Sequence, residues 1–588
     1  MGSALPVARR QRVSDDDLQP LRSDSRVEEN GELQLPRALG FESKQNSVRA
    51  RRRSRGLLWR VDVSNRKNAG DYWHSSERRL KPVERNSPGP AIVLAIAVAD
   101  LVFHLLIANR YGIFRDELYY LACSEHLDAG YVDQPPLIAF IAWIARHLFG
   151  ESLLGLRLLP ALAGAATVWL TGKFSRELGG RAFAQALAAL AAFAAPIFLL
   201  MHHWLTMNAF EPLIWIACTW CIVRAIDRNE PHSWLWCGVL IGVGMENKYS
   251  TAFFAFAVFG ALLLTPQRRF LASKWIWLGA LCSLLIFLPN LIWMVRHNFP
   301  FLELMHNIRN THRDVVRGPI AFIADQAKLL NPILFPLWVG GLGWLFLSRQ
   351  GSRFRILGWI YALLLVAFIV LKGKNYYLSA AYPMLFAAGA VAFENLSRLK
   401  MRWSRPVYVV AIVLMTCVLA PLSTPVLSPE NYVRYQTALG LEPLKAENQP
   451  TGPLPQHFAD EFGWEEMARE VGRVYNALPP EQRAKTAIFA NDYGQAGAID
   501  FFGKKYGLPK SISNHQNYWF WGPRDYTGES VIVLGSDGTG DRKRFASVEA
   551  VGQTNHPYSR RDEHFDIFLC RNLNTTLQAR WPKAKKWN

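Results

Sequence analysis

The stretch AIVLAIAVADLVFHLLIANRYGIFRDELYYLACSEHLDAGYVDQPPLIAFIAWIARHLF, residues 91–149, decides how the chain is read. Residues 91–109 are almost wholly apolar and long enough to cross a bilayer, whose ~30 Å of hydrocarbon takes ~20 residues at ~1.5 Å each. A polar loop follows, then an apolar run from Pro135 to Phe149 of about fifteen residues. That run is too short to cross. It predicts a helix lying along the membrane face, with Arg146 and His147 at the headgroups and Ile138, Ile141, Trp143 and Leu148 in the acyl chains.

Outward from this stretch, ten more apolar segments recur, at about 156–173, 182–201, 207–226, 233–247, 249–265, 274–295, 330–347, 355–371, 376–395 and 406–422. Short loops rich in Lys and Arg stay in the cytoplasm. The basic turns around Lys173–Arg181, Arg224–Arg228, Arg268–Arg269, Arg349–Arg355 and Arg398–Arg405 then fall on one side, predicted inside. Loop 110–155, the turns near His202 and Lys248, loop 296–329, the turn Lys372–Tyr377 and everything after 423 fall on the other. The fold class is therefore mainly α: a polytopic transmembrane bundle of about eleven spans with juxtamembrane helices.

Residues 1–90 lack apolar periodicity and carry Arg49, Arg51, Arg52, Arg53 and Arg55, which predicts a disordered basic cytoplasmic tail. The formal charge of +19 lies mainly in this tail and in the turns between spans, so it sets topology and does not mark a nucleic-acid binder. Most of the seven cysteines sit in apolar runs, so no disulfide framework is implied, and Cys218 and Cys221 read as helix packing. After the transmembrane region, 91–422, prolines between Pro425 and Pro455 mark a linker. Thr486–Phe489 and Ser530–Leu534 then read as strands and Gln495–Lys504 as a helix, so 423–588 is predicted to be a small extracytoplasmic α/β domain. Gly535, Gly538 and Gly540 read as a plain loop.

Asp116 and Glu117 are adjacent in the first polar loop, Asp133 follows, and Tyr119 and Tyr120 lie between. A carboxylate against a low-dielectric wall has its charged form disfavoured, which is how a general base is tuned. The same spacing admits two helix caps, Asp116 starting a helix and Asp133 capping the one after Pro135-Pro136. On the same predicted side stand His202, His203, Asn208, Glu211, Glu246, Asn247 and Lys248, and the turn Lys372, Lys374, Asn375, Tyr376, Tyr377. Ionisable groups at membrane depth are costly and usually face a cavity. The gathering suits an anion at the membrane surface, such as a lipid phosphate. A transporter or lipid flippase is the competing class, although the charges sit at helix ends and no internal repeat is evident. Further on, His515, Asn517, Tyr518, Trp519, Phe520 and Trp521 suit sugar stacking, a core strand or a foot on the membrane.

Asp116-Glu117 after the first helix, YVDQPPL at 131–137, FGES and LRLLPAL between 149 and 162, NKYS at 247–250 and KNYYLSAAYP at 374–383 together resemble the glycosyltransferase family 39 group. That group belongs to the GT-C superfamily and includes protein O-mannosyltransferases and lipid A aminoarabinose transferases. NDYGQAGAIDFFGKKYGLP and NHQNYWFWGP resemble the extracytoplasmic domain of a bacterial subgroup. The resemblance implies a multi-pass bacterial inner-membrane enzyme with its site on the periplasmic side. It would move a sugar, with inversion, from a polyprenyl-phosphate donor to a glycolipid, polysaccharide or protein acceptor. Asp116 would be the catalytic carboxylate, with Glu117 and Asp133 in support. Arg157, Lys248, Lys372 and Lys374 would hold the donor phosphate. Tyr119, Tyr120, His202, His203, Asn375, Tyr376 and Tyr377 would line the pocket. No cofactor is certain, and the family leaves room for a divalent metal at Asp133 and Asp116. Gln134 stands where the aminoarabinose transferases carry Lys before Pro-Pro, which argues against that donor. A reporter fused after Asn588 should be active only outside the cytoplasm; cytoplasmic activity would invert the topology.

Overall fold

Each apolar stretch read from the sequence is helical in the computed structural model, which describes residues 88–398, 401–445, 447–450 and 452–588. The tail predicted over 1–90 lies outside the described residues except for its last three positions. In chain order the membrane part holds α1 (Gly89–Ile107), α2 (Arg115–Glu125), α3 (Leu137–Phe149), α4 (Leu153–Glu177), α5 (Ala182–Phe193), α6 (Pro196–Met201), α7 (Met207–Asp227) and α8 (Ser233–Asn247). It continues with α9 (Ser250–Leu263), α10 (Lys274–Arg296), α11 (Pro300–Asn310), α12 (Pro319–Leu329), α13 (Phe335–Leu347), α14 (Arg355–Val370), α15 (Tyr382–Ser397) and α16 (Ser404–Ser423).

Among the described residues seven helices are long and apolar enough to span a membrane on their own, and nine spans result if two bent helix pairs each count as one. The expected eleven would also require the segment 182–201, which Pro196 breaks into α5 and α6, and α8, which has only 15 residues. One bent pair is α12 with Pro332–Leu347, turning through 103°. The lipid-facing surface is apolar in the expected way: on α10, Leu281, Leu284 and Leu285 are at least half exposed, and so are Val407, Val410 and Leu414 on α16. Between helices the contacts rely on small residues. A Cβ at Gly238 of α8 would lie 2.1 Å from the carbonyl oxygen of Gly279 on α10, so these two helices meet backbone to backbone.

α3 departs from its expected setting. Its thirteen residues cover about 20 Å, too little to cross, but its buried face is not turned to lipid. Ile138, Ala139, Ala142 and Ala145 are fully buried against protein, Ile141 and Trp143 are half-buried, and only Leu148 of the expected lipid-facing set is exposed. Arg146 is drawn into protein contacts, donating to Glu125 at 3.0 Å and pairing with Glu151.

Beyond α17 (Pro429–Ala438) the chain builds an α/β domain with α18 (Trp464–Asn476), α19 (Tyr493–Phe502) and α20 (Tyr518–Trp521). Its strands are β1 (Thr486–Ala490), β2 (Ile512–Ser513), β3 (Ser530–Leu534), β4 (Phe545–Thr554) and β5 (Phe565–Leu573), in the sheet order β2-β1-β3-β5-β4. β1 pairs parallel with β2 and β3, while β5 runs antiparallel between β3 and β4. The two expected strands, β1 and β3, are the central parallel pair and almost entirely buried. The aromatic run 518–521 is a short helix and not a core strand.

This domain sits on the first loop of the bundle. The topological reading assigned loop 110–155 and the chain after 423 to one side of the bilayer, and α19 packs directly on α2. Two glycines make the approach close. A Cβ at Gly494 would fall 2.5 Å from Cγ of Arg115, and one at Gly497 would fall 3.0 Å from the Leu118 backbone. Gly497→Leu should force α19 off α2 at a cost of about 1–3 kcal/mol. A lower melting temperature together with faster proteolysis between 423 and 493 would register it; unchanged values would mean that the two helices do not need this contact.

Candidate active site

α2 begins where Phe114 is extended (φ −75°, ψ 143°) and its N–H is accepted by Oε2 of Glu117 at 2.9 Å. The cap therefore falls to Glu117 at the third helical position, which frees Asp116 from the capping role that its spacing allowed. Glu117 is wholly buried, and both of its oxygens are engaged. Oε1 accepts from the Leu205 N–H at 2.9 Å and from Arg157 Nε at 3.2 Å, and Oε2 accepts from Arg157 Nη2 at 2.9 Å.

Arg157, on α4, is 1% exposed and uses its remaining donors inside the protein. Nη1 donates to the Ala108 carbonyl at 3.0 Å and meets His203 Nε2 at 3.1 Å, while Nη2 donates to the Gly112 carbonyl at 2.8 Å and to Glu461 at 3.2 Å. A guanidinium offers five N–H groups in a fixed plane, and here none is left for a phosphate. The expected phosphate contact at Arg157 is thus corrected to a buried strut, and Glu117 and His203 belong to the same strut. Burial pushes Glu461 up to about 8 against the pull of Arg157, with Glu117 adding to the rise. His202 is equally buried, packed edge-on against His104 and beside Phe198, and no described contact joins it to Asp116.

Asp116 points the other way. Its side chain keeps 32% of its surface exposed, Oδ1 accepts the Tyr493 hydroxyl at 2.8 Å, and Arg115 Nε lies 3.9 Å away. Loss of water around it lifts its pKa above the usual carboxylate value, opposed by the Arg115 charge and the Tyr493 hydrogen bond. Asp133 does not cap α3; it accepts the Tyr119 hydroxyl at 3.0 Å, and that hydroxyl accepts the Asn517 N–H at 3.2 Å. Burial raises Asp133 to about 7, against the Tyr119 bond and with a contribution from Asp116. Tyr120 is buried close enough to feel both carboxylates.

The cations divide. Lys248 donates to Glu211 and Asn208, both at 2.8 Å, and its ammonium lies 4.5 Å from the ring centre of Tyr377 and 5.7 Å from that of Tyr376. Lys374 pairs with Asp314 at 3.3 Å, and its charge reaches Asp116. Lys372, in contrast, is exposed with φ +55° and forms no ion pair among the described residues, so it stands apart from this group. Asn375 turns toward Asp325, to which it donates at 2.9 Å. The basic side of the site is instead filled out by Arg115 and Arg313, 3.7 and 3.8 Å from Glu447. Burial would raise Glu447, but Arg115, Arg313, Lys374 and Arg560 together hold it at about 2.

Among the described residues no group of three or more His, Cys, Asp or Glu side chains is arranged to hold a metal. Asp116 and Asp133 each use Oδ1 to accept a tyrosine hydroxyl, Tyr493 and Tyr119 respectively. The aromatic run acts as a buttress. Asn517 Oδ1 accepts the Val132 N–H at 2.9 Å, Tyr518 is buried beside Tyr119, and Trp521 stacks on His126 at 4.3 Å. Sequence reasoning missed Tyr493, Arg115, Glu447 and Glu461. Only the GQAG spacing after Tyr493 gave a sign that a helix there could approach another closely.

The family model for dolichyl-phosphate-mannose-protein mannosyltransferase matches residues 133–293. The chain is 24% identical over 287 residues to lipid A galacturonosyltransferase RgtD of Rhizobium johnstonii, covering 46% of this chain and 57% of that one. It is 25% identical over 214 residues to a putative mannosyltransferase, YycA, of Bacillus subtilis, covering 33% of this chain and 31% of that one. The matched region thus spans 57% of the first of these relatives and 31% of the second. In fold the chain is similar to ArnT of Cupriavidus metallidurans bound to undecaprenyl phosphate, with a TM-score of 0.53 and 15% identity over 82% of this chain and 97% of that one. The apo form of ArnT gives a TM-score of 0.52 over the same shares of each chain.

Arg157→Ala leaves Glu117 and Glu461 buried without their cation and should cost about 3–5 kcal/mol, seen as a large fall in melting temperature or yield. A variant that melts like the wild type but loses donor affinity would restore Arg157 to the phosphate.

Proposed function

We propose, for a chain that belongs to the GT-C superfamily in its glycosyltransferase-39-like branch, that it transfers a sugar from a polyprenyl-phosphate-linked donor to an acceptor hydroxyl on the periplasmic side of a bacterial inner membrane. One observation carries the reading. Of the two adjacent acidic residues in the first loop, Glu117 is locked inside the protein, while Asp116 presents a partly open carboxylate beside Lys374 and Arg115. ArnT, which shares the fold, has been captured with undecaprenyl phosphate, and RgtD is a lipid A galacturonosyltransferase. The first supports a lipid-phosphate donor and the second supports sugar transfer to a glycolipid; the sugar and the acceptor remain classes: a hexose or pentose, and a glycolipid, polysaccharide or protein.

In this reading the acceptor hydroxyl attacks the anomeric carbon from the face opposite the phosphate. The new C–O bond forms as the sugar–phosphate bond breaks, so the anomeric configuration inverts. Asp116 takes the hydroxyl proton, and the loss of water that raises its pKa makes it a stronger base than an ordinary carboxylate. The electron pair of the broken bond leaves on the phosphate oxygen. Lys248 and Lys374 supply positive charge there, and a cation at a developing anion lowers the barrier more than it strengthens ground-state binding. Both lysines are paired with carboxylates, Glu211 and Asp314, which would yield to the doubly charged product phosphate. Tyr376 and Tyr377 flank Lys248 and offer rings to the donor. Asp133, with a pKa near neutrality and bonded to Tyr119, supports the loop.

Asp116→Asn removes the proton acceptor with almost no change in shape. Transfer from a polyprenyl-phosphate sugar should fall at least about a hundredfold, while melting temperature and undecaprenyl phosphate binding stay as in the wild type. Normal turnover in this variant would take Asp116 out of its role.

A further inference from the structure

Asp116 receives its only described hydrogen bond from a residue 377 positions away, in the C-terminal domain. We infer that this domain is a working half of the active site and that Tyr493 is a positioning residue, its hydroxyl fixing Oδ1 of Asp116 so that the open edge of the carboxylate faces the acceptor. The inference rests on the reading of Asp116 as the base.

The geometry around Tyr493 is that of a clamped side chain. Its ring lies 4.7 Å from the Tyr119 ring and 5.1 Å from the His515 ring, the latter nearly parallel at 24°, and the Arg115 guanidinium sits 5.2 Å from its centre. Its backbone is fixed as well. The Tyr493 N–H donates to His515 Nδ1 at 3.1 Å, and Asp492 caps α19 by accepting the Gly494 N–H at 2.7 Å. A phenol on a mobile loop would wander over several rotamers; here ring, backbone and helix start are each held, and the hydroxyl has one place to go. Gly494 and Gly497 bring α19 near enough for that hydroxyl to reach α2. Burial pushes the Tyr493 pKa above the ordinary tyrosine value, although Arg115 opposes it, so the group stays a donor at neutral pH.

The groups facing Asp116 come from several elements. Arg115 and Tyr120 share its helix, and Asp133 belongs to the loop that follows. Lys374 and Tyr376 come from the turn before α15, and Glu447 and Asp460 from the segment leading into the C-terminal domain. Of all these, Tyr493 alone donates a hydrogen bond to the carboxylate among the described residues. A bond of that kind favours the ionised form, so removing it raises the pH needed to ionise Asp116.

Tyr493→Phe keeps the ring and removes the donor. In membranes or detergent, with a polyprenyl-phosphate sugar as donor, turnover near neutral pH should fall about tenfold, and the acid limb of the pH–rate profile should move up by about one unit. The apparent KM for the donor should stay within about twofold of the wild type. A wild-type rate with an unmoved acid limb overturns the inference, and so does a faster enzyme, which would mean that the hydroxyl obstructs the acceptor. If Tyr493→Phe lowers the melting temperature and loses activity at every pH, 3,5-difluorotyrosine at the same position decides. A stronger donor should move the acid limb down, and an unmoved limb refutes the role. Asp116→Asn is run alongside: turnover in that variant brings down the base reading itself, whereas an inactive Asp116→Asn with an unshifted Tyr493→Phe brings down only the part given to Tyr493.

Discussion

A single buried guanidinium holds three parts of the molecule in register. Arg157 leaves α4, is enclosed by the carboxylates of Glu117 and Glu461, and is bonded to the carbonyls that end the turn after α1. Burial makes Glu461 favour its proton, and the second carboxylate of Glu117 adds to that while the single cation opposes it. A guanidinium whose every donor is engaged tolerates little displacement, since moving it away from Glu117 and Glu461 leaves buried charges unpaired. Its consequence is directional. With Glu117 drawn inward at the third position of α2, the preceding carboxylate is turned about 100° around the helix axis toward the opposite face.

That division of labour between neighbours was half legible in the sequence. The pairing of Asp116 with Glu117 was plain, but what sets the two apart was not, because the partners of Glu117 lie 40 and 88 residues further on. Arg157 was misread for a related reason. A basic residue near a helix end looks the same whether it faces headgroups or fills an internal cage, and only the three-dimensional count of acceptors separates the two. Lys372 and Lys374 are two positions apart, yet one is exposed and the other reaches the site, since a positive φ at Lys372 turns the chain between them.

The helical bundle was the easiest part to read, because apolar runs near the bilayer thickness have few other uses. The parallel strands β1 and β3 were visible for a similar reason, as short apolar runs buried on both faces. β4 escaped notice because it is an edge strand whose residues alternate poorly and whose pairing to β5 shifts between Ala550 and Gly552. The docking of the C-terminal domain could not be read at all. It depends on two glycines and a tyrosine meeting a helix nearly four hundred residues earlier, a contact that no local pattern encodes.

The short α8 carries a further implication. Fifteen residues rise about 22 Å, well below the thickness of the hydrocarbon layer, and the helix ends at Glu246, Asn247 and the paired Lys248. A span this much shorter than the hydrocarbon is accommodated by a locally thinned bilayer or by flanking polar groups reaching outward. Under the proposed function, such thinning would bring the phosphate of a prenyl chain down toward the level of Lys248, so that the lipid descends to the lysine and the charged group need not climb out of it.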